Sequence, residues 1–307
     1  MDFVALRKIF LPISVVLAVV SVVLLFAPGL NLGIDFVSGT STTYDFVGDD
    51  PGSDAVNDAL VASGHPEAIV QNLGEGQYLV RTNDLGNEGK NVIDAELTLL
   101  TGTEPTTLET VTVGASVAEG TVRNAITAVA VAAVFVMVYI MYAFKTVPGS
   151  YRYAISAVIA LLHDVLIVLG LFAVLGVVLS VQVNAIFIVG ILTVIGYSVN
   201  DTIVIFDRVR ENVLLVPSRD FRVTINASIR ESIIRSLGTS LTTATVIIAM
   251  LLFGGQSLRD FLIVLLLGVI IGTYSSIFVA AQVLVSWDEG ALGRFTRILP
   301  RFRRRTS

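Results

Sequence analysis

The sequence has no cysteine, only two histidines and few charged residues. Without cysteine, a disulfide scaffold, a thiol nucleophile and a thiolate metal site are excluded. His65 and His163 lie far apart in the sequence, which argues against a histidine-rich metal site. No Gly-x-x-x-x-Gly-Lys-Ser/Thr pattern occurs, so no phosphate-binding loop for ATP hydrolysis is predicted. The sequence therefore offers no catalytic, cofactor or metal site, and we expect a protein that is not an enzyme.

Apolar residues are abundant instead. They make up 54% of the chain, and the mean hydropathy is +0.82. A membrane-spanning helix needs about 20 apolar residues. Six stretches meet this requirement and are predicted to span a membrane: 10–28, 123–143, 153–177, 184–206, 233–253 and 261–286. Because no small-residue cleavage signal follows the first stretch, it is interpreted as an uncleaved span. A multi-pass membrane protein is predicted.

The distribution of basic residues predicts the topology. With the N-terminus in the cytoplasm, fifteen of the twenty Lys and Arg residues would lie in cytoplasmic segments and four outside. Lys and Arg are enriched in cytoplasmic loops. Both termini are therefore expected in the cytoplasm of a cell carrying the protein in its plasma membrane. The arginine-rich tail, 287–307, is interpreted as a contact with anionic lipid headgroups.

The insert after the first span, residues 29–121, is predicted to be a domain outside the cytoplasm, between the first span (1–28) and the bundle of the other five (122–286). Its patterns alternate as β-α-β-β-α-β, which is typical of a ferredoxin-like α+β domain. Between residues 40 and 120 there are fourteen acids and two bases, a net charge of about −12. This charge disfavours nucleic-acid binding. It indicates a solvated surface typical of a halophile, or a surface that attracts or repels an unfolded client polypeptide.

Ionisable residues inside the spans are the main candidates for function, because they are costly there. Asp201 in the fourth span lies about 9 Å along the helix from Asp207, at 1.5 Å per residue, and is expected in the cytoplasmic half of the membrane. A carboxyl at that depth can bind and release a proton as its surroundings alternate between dry and wet. Arg235, at the start of the fifth span, is its expected partner.

Alternatives remain open for these residues. Asp201 and Arg235 could form a static buried ion pair, or Glu231 could pair with Arg235 one helical turn away. Asp164 in the third span is a relay member, or only a hydrogen-bonding group. The polar neighbours predicted to support the proton pathway, or simply to pack the helices, are His163, Ser198, Asn200 and Thr202.

These residues carry a resemblance to a known family. The stretch Gly196–Asn212, GYSVNDTIVIFDRVREN, is similar to the fourth-span signature of the SecF branch of the SecD/SecF protein-export family. Further similar motifs are LLHDV at 161–165, SIIRSL at 232–237, FGG at 253–255 and GVIIGTYSSI at 268–277. Gly33-Ile34-Asp35-Phe36 resembles another family motif, although Ser38-Gly39 stands where the family often has two glycines.

The resemblance implies a membrane fold of the RND superfamily and pairing with SecD. It also implies association with a SecYEG-type channel and export of unfolded preproteins driven by the proton motive force. Asp201 and Arg235 then match the family's proton-pathway aspartate and fifth-span arginine. The acidic insert suggests a halophilic archaeon. The alternatives are a scaffold that stabilises SecD and the channel without ion flux, and a small-molecule efflux transporter.

Overall fold

The computed structural model describes residues 2–46, 50–83, 86–255 and 258–290, with 86–88 described by backbone alone. The arginine-rich tail therefore lies outside the described residues, apart from its first four. The helices are α1 (Arg7–Phe26), α2 (Ile34–Val37), α3 (Ser53–Ala62), α4 (Gly86–Thr101), α5 (Ala115–Ala143), α6 (Ser150–Leu179), α7 (Ala185–Leu215), α8 (Phe221–Phe253), α9 (Arg259–Ser275) and α10 (Ala281–Asp288). The strands are β1 (Gly39–Asp45), β2 (Ile69–Gly74), β3 (Gln77–Thr82) and β4 (Thr106–Val113).

Six helices in the described part of the chain are long and apolar enough to cross a membrane, which confirms the predicted number. They are α1, α5, α6, α7, α8 and the continuous segment Arg259–Asp288, in which a π-helical turn, Ser276–Ala280, joins α9 to α10. Several begin before the predicted apolar stretch, since polar residues continue the helix. The Asp220 carboxylate, for example, caps α8 by accepting hydrogen bonds from the amides of Arg222 and Val223 at 2.9 and 3.2 Å.

The chain divides into two compact units. The helical unit consists of the described parts of residues 1–29, 128–174 and 189–307. Its core contains stacked and edge-on rings of Phe144, Tyr153 and Phe206, with centroids 5.4–6.3 Å apart. Helices α7 and α9 pack so closely that a Cβ at Gly268 would lie only 2.0 Å from a methyl group of Val194. Small residues permit this approach between membrane helices.

The second unit, here called the insert unit, consists of residues 30–127 and the turn segment Leu175–Ile188. Its sheet is antiparallel with the strand order β2-β3-β1-β4, and the predicted order of strands and helices is present. Alternate residues of β1 and β3 face α3 and α4. They form an apolar core of Tyr44, Val56, Leu60, Tyr78, Val80, Ile93 and Leu97, with other buried side chains.

Hydrogen bonds between tyrosines and acids supplement this core. The Tyr78 hydroxyl donates to the Asp50 carboxylate, which also accepts from the Gly52 amide at 3.1 Å. These two contacts lower the pKa of Asp50. Burial, followed by the bond to Asp50, raises the pKa of Tyr78 to about 12. Tyr44 donates to Asp94 at 2.7 Å, and burial followed by this bond raises its pKa above the ordinary tyrosine range.

Candidate functional site in the helical unit

Asp164, on α6, is held by three donors. Its side chain is in the helical interior, where the residue is 1% exposed. Ser198 of α7 and Ser275 of α9 donate to Oδ2 at 2.5 and 2.7 Å, and His163 Nδ1 lies 2.9 Å from Oδ1. A carboxylate with donors on both oxygens is well satisfied in a dry interior. Asp164 therefore links α6, α7 and α9 as a fixed acceptor.

Asp201 is much less satisfied. It lies on α7, one turn beyond Ser198, and is 3% exposed. Ser236 of α8 donates to Oδ1 at 2.5 Å, whereas Oδ2 is buried without a hydrogen-bond partner in the described part of the chain. A buried acceptor left open is unusual and calls for a functional explanation. The second oxygen of Asp201 is available to a proton or to a donor from outside the chain.

Arg235 does not meet Asp201. Its side chain is exposed, and no hydrogen bond or ion pair joins it to Asp201 among the residues the structure describes. The alternative partner, Glu231, is engaged elsewhere, 2.5 Å from Arg208 Nε and 2.9 Å from the Asn212 amide. Neither pairing expected for Arg235 is present. The physical reason is that Ser236, about 100° around α8 from Arg235, is the residue turned toward α7.

The four residues predicted to support the proton pathway differ in their burial and in their hydrogen-bond partners. His163 and Ser198 are buried and bind Asp164, not Asp201. Thr202 is buried next to Asp201 in sequence, and Asn200 is exposed on α7. The structure thus brings together Asp164 with two predicted neighbours and leaves Asn200 outside the cluster. In the described residues, no group of three or more His, Cys, Asp or Glu side chains is placed to hold a metal ion.

Sequence reasoning missed several hydroxyls that complete the cluster. Ser236 and Ser275 are the direct donors to the two carboxylates. A second layer joins α7, α8 and α9, since Ser240 Oγ lies 2.6 Å from Thr273 Oγ1 and accepts from the Tyr197 hydroxyl at 3.1 Å. Serine is common at helix contacts in membranes, so its presence alone gave no signal. A signal was nevertheless available in the spacing of these residues.

Helix α8 carries a hydroxyl at every fourth position, a row here called the serine stripe. Its members are Thr224, Ser228, Ser232, Ser236 and Ser240. All of them except Ser236 donate to the backbone carbonyl four residues earlier, at 2.7–3.1 Å, as hydroxyls in helices commonly do. Ser236 instead donates to Asp201. The stripe therefore marks the face of α8 that lies against α7.

Comparison with known proteins places the chain in a family. The model of "Protein export membrane protein SecD/SecF, C-terminal" matches residues 95–290, which is more than half of the chain. The chain belongs to the SecD/SecF protein-export membrane family. A second model of this family, the "SecD/SecF GG Motif", matches residues 23–47. The two matches cover α5 to α10 and the segment that follows α1.

Relatives of the SecD/SecF family match nearly the whole chain. It is 36% identical over 304 residues to protein translocase subunit SecF of Thermobaculum terrenum, with 94% of each chain covered. It is 36% identical over 286 residues to SecF of Anaerolinea thermophila, with 92% and 93% covered. The crystal structure of SecDF, a translocon-associated membrane protein from Thermus thermophilus, matches with a TM-score of 0.84 and 31% identity. That match covers 94% of this chain and 39% of the SecDF chain.

Proposed function

We propose that this chain is a SecF-type subunit of the Sec translocation machinery, which acts with SecD to promote export of unfolded preproteins using the proton motive force. The observation that carries the proposal is the state of Asp201. It is buried in the helical unit and, among the residues that the structure describes, has a single hydroxyl partner and one carboxylate oxygen without a partner. Such a group can gain or lose a proton without breaking a network, whereas Asp164 cannot.

In this mechanism, a change of charge on Asp201 alters its contact with Ser236 and hence the packing of α7 against α8. A guanidinium keeps its charge in proteins and cannot relay a proton, so Arg235 belongs to the proposed pathway only as a fixed positive charge on α8. Asp164, with His163 and Ser198, holds α6, α7 and α9 together while this change takes place. Thr202, buried beside Asp201, supports the site in this proposal, whereas the exposed Asn200 lies outside it. The chain is proposed to perform no enzymatic reaction and to use no cofactor.

The exposed face of α8 supports pairing with SecD. Arg235 is exposed on a helix that is apolar enough to span a membrane, with Ile234 and Leu237 exposed beside it. An arginine facing lipid inside a span is costly, so this face needs a protein cover. The match to this chain covers only 39% and 37% of two SecDF relatives, so each of these single chains is more than twice as long as the matched part. In this proposal SecD covers α8 and supplies the acceptor for Arg235.

The distribution of Lys and Arg supports a plasma-membrane topology with both termini in the cytoplasm and the insert outside. The strand order β2-β3-β1-β4 supports a ferredoxin-like class for the insert. The proposed contacts are SecD, a SecYEG-type channel, the emerging preprotein and the lipid bilayer, with no role for nucleic acid. A halophilic archaeal source rests only on the acidic insert, and the bacterial relatives named above give it no support.

A second candidate function is a scaffold that stabilises SecD and the channel without ion flux. The fully satisfied contacts of Asp164 favour it, because three helices meet there at a fixed acceptor. The two candidates differ in what they require of Asp201. A scaffold needs only its shape and hydrogen bond, which asparagine reproduces, whereas proton coupling needs the carboxyl.

The test is Asp201→Asn in the full chain expressed with SecD. Export of a secreted reporter, recovery of SecD by pull-down and proton flux in vesicles are measured together. We expect lost export and flux with normal SecD recovery. The matched control is Asp207→Asn, the same chemical change at an exposed position of α7 whose carboxylate pairs with Arg210 at 2.7 Å. Normal export by Asp201→Asn would refute the proton-coupling proposal and favour the scaffold function.

A further inference from the structure

The segment between α1 and β1 has a structure that the proposed proton site does not explain. Residues 31–39 include the Gly-Ile-Asp-Phe sequence and lie within the region matched by the GG-motif model. A connection of this length would commonly be a simple loop. In the insert unit it instead makes contacts on two sides, with the turn segment Leu175–Ile188 and with the sheet.

The first set of contacts joins the segment to the turn between α6 and α7. The Gly33 amide donates to the Val183 carbonyl, and the Val183 amide donates to the Asn31 carbonyl, both at 2.8 Å. These bonds form a parallel bridge between Leu32 and Val183. A Cβ at Gly33 would lie 3.2 Å from the Val183 carbonyl oxygen, so a larger residue there requires a small shift of that carbonyl.

Asp35 provides a contact with α7 itself. Its Oδ2 accepts a hydrogen bond from the amide of Ala185, the first residue of α7, at 2.8 Å. The first four amides of a helix have no acceptor within the helix, and a negative charge is favourable at that end. Asp35 therefore caps α7 from a position 150 residues earlier in the chain. This is the helix that carries Asp201.

The second set of contacts joins the same segment to the sheet. Arg81 of β3 is 5% exposed, and its guanidinium donates to the Leu32 carbonyl at 2.7 Å and to Asn31 Oδ1 at 3.0 Å. Both acceptors are neutral, so this buried cation binds a backbone carbonyl and a side-chain amide and no carboxylate. Gly39, where the segment enters β1, has φ of 130°, and a Cβ there would lie 2.4 Å from the Thr82 carbonyl oxygen. The sheet and the segment are thus in direct backbone contact.

We propose that residues 31–39 form a coupling joint through which the ends of α6 and α7 act on the sheet of the insert, with Arg81 and Asp35 as its side-chain anchors. This rests on the proposed function, because α7 runs without interruption from Ala185 past Asp201. The joint stays closed and transmits movement of the helix ends to the sheet. It is a positioning element and takes no part in binding the proton.

The experiment compares Arg81→Ala and Asp35→Ala in the full chain expressed with SecD. We expect export of a secreted reporter to fall roughly tenfold, the factor for losing one or two charge-assisted hydrogen bonds. SecD recovery and proton flux in vesicles stay normal, because the proton site is unchanged. The matched control is Lys90→Ala, the other base of the insert, which pairs with Asp94 at 2.5 Å and should export normally. Normal export by both joint variants would overturn the proposal, as would loss of proton flux.

A disulfide separates a joint defect from misfolding. The chain has no cysteine, so Leu32→Cys with Val183→Cys introduces a single pair across the bridge. Paired strands lie about 5 Å apart, within the range that a disulfide spans. We expect the oxidised pair to export normally and to restore export to Asp35→Ala, whose lost contact lies on the same side of the joint, with the loss returning on reduction. Failure to crosslink, or a block of export by the crosslink alone, would overturn the closed joint.

The outcomes distinguish the joint from the proton site. If Asp201→Asn exports normally while the joint variants do not, proton coupling is wrong and the joint remains as a mechanical link between the turn and the sheet. If Asp201→Asn fails and the joint variants export normally, the joint is wrong and proton coupling stands.

Discussion

Replacing each buried carboxyl by alanine should destabilise the helical unit to different extents. Asp164 and Asp201 are both almost fully buried and lose the same atoms, so the cavity and transfer contributions to the free energy of unfolding are similar. The difference comes from the donors left behind. Within the described part of the chain, Asp164→Ala leaves three donors without their acceptor, whereas Asp201→Ala leaves the Ser236 hydroxyl alone.

The magnitude follows from the hydrogen bonds. Inside membrane bundles a side-chain hydrogen bond contributes about 0.6 kcal/mol on average, and one to a charged group in a protein contributes about 1.5–3 kcal/mol. Three lost donors therefore cost about 2–5 kcal/mol for Asp164→Ala beyond the shared terms. For Asp201→Ala the corresponding cost is about 0.6–1.7 kcal/mol, one third of that range, because one hydroxyl is affected.

The assay uses the purified chain in detergent micelles, unfolded by titration with sodium dodecyl sulfate. The single tryptophan, Trp287, is buried in α10 and reports unfolding by fluorescence. Asp207→Ala is the control, since its exposed ion pair with Arg210 contributes little. Equal losses for the two buried aspartates, or a larger loss for Asp201→Ala, would refute the reasoning that donor number decides their roles.

Two further predictions concern packing and pH. Gly268→Ala should destabilise the chain by about 1–3 kcal/mol, since its Cβ would overlap Val194, and Val194→Gly should recover part of this loss in a double-mutant cycle; additive losses in the same fluorescence assay would contradict the close contact. Tyr78 should ionise near pH 12 and not near 10, so the stability its raised pKa contributes is present below pH 10 and lost as the pH rises through 12. The absorbance difference between the chain and Tyr78→Phe measures this, and a step near pH 10 would exclude it.

Much of the fold follows from local patterns. The six spans are visible because a run of about 20 apolar residues, wound as a helix, matches the thickness of the bilayer hydrocarbon. The strands of the insert are visible where apolar and polar residues alternate, as at residues 110–113 of β4. The start of α8 at Phe221 was not predicted. Residues 221–232 mix charged and polar residues with apolar ones, so their hydropathy is too low to indicate a membrane span, although the helix is continuous there.

The candidate site was predictable only in part. Asp164 and Asp201 attract notice because a carboxyl in an apolar span is costly. Their partners depend on which faces of the helices meet, and a sequence does not state this. Choosing Arg235 for Asp201 was an argument from charge and depth, and the neighbouring position, Ser236, is the one that faces Asp201. The coupling joint depends on pairs far apart in the chain, such as Asp35 with Ala185, for which a single sequence gives no signal.

The serine stripe has a consequence for how little must move when Asp201 changes its charge. Ser232 and Ser240 give their hydrogens to the carbonyl one turn back, and Ser236 has the same kind of acceptor within reach. Rotation about one Cα–Cβ bond can therefore transfer its hydrogen from the carboxylate to the helix backbone. No donor is stranded in either orientation. The smallest step at Asp201 is thus the rotation of one side chain, which requires no displacement of a membrane helix.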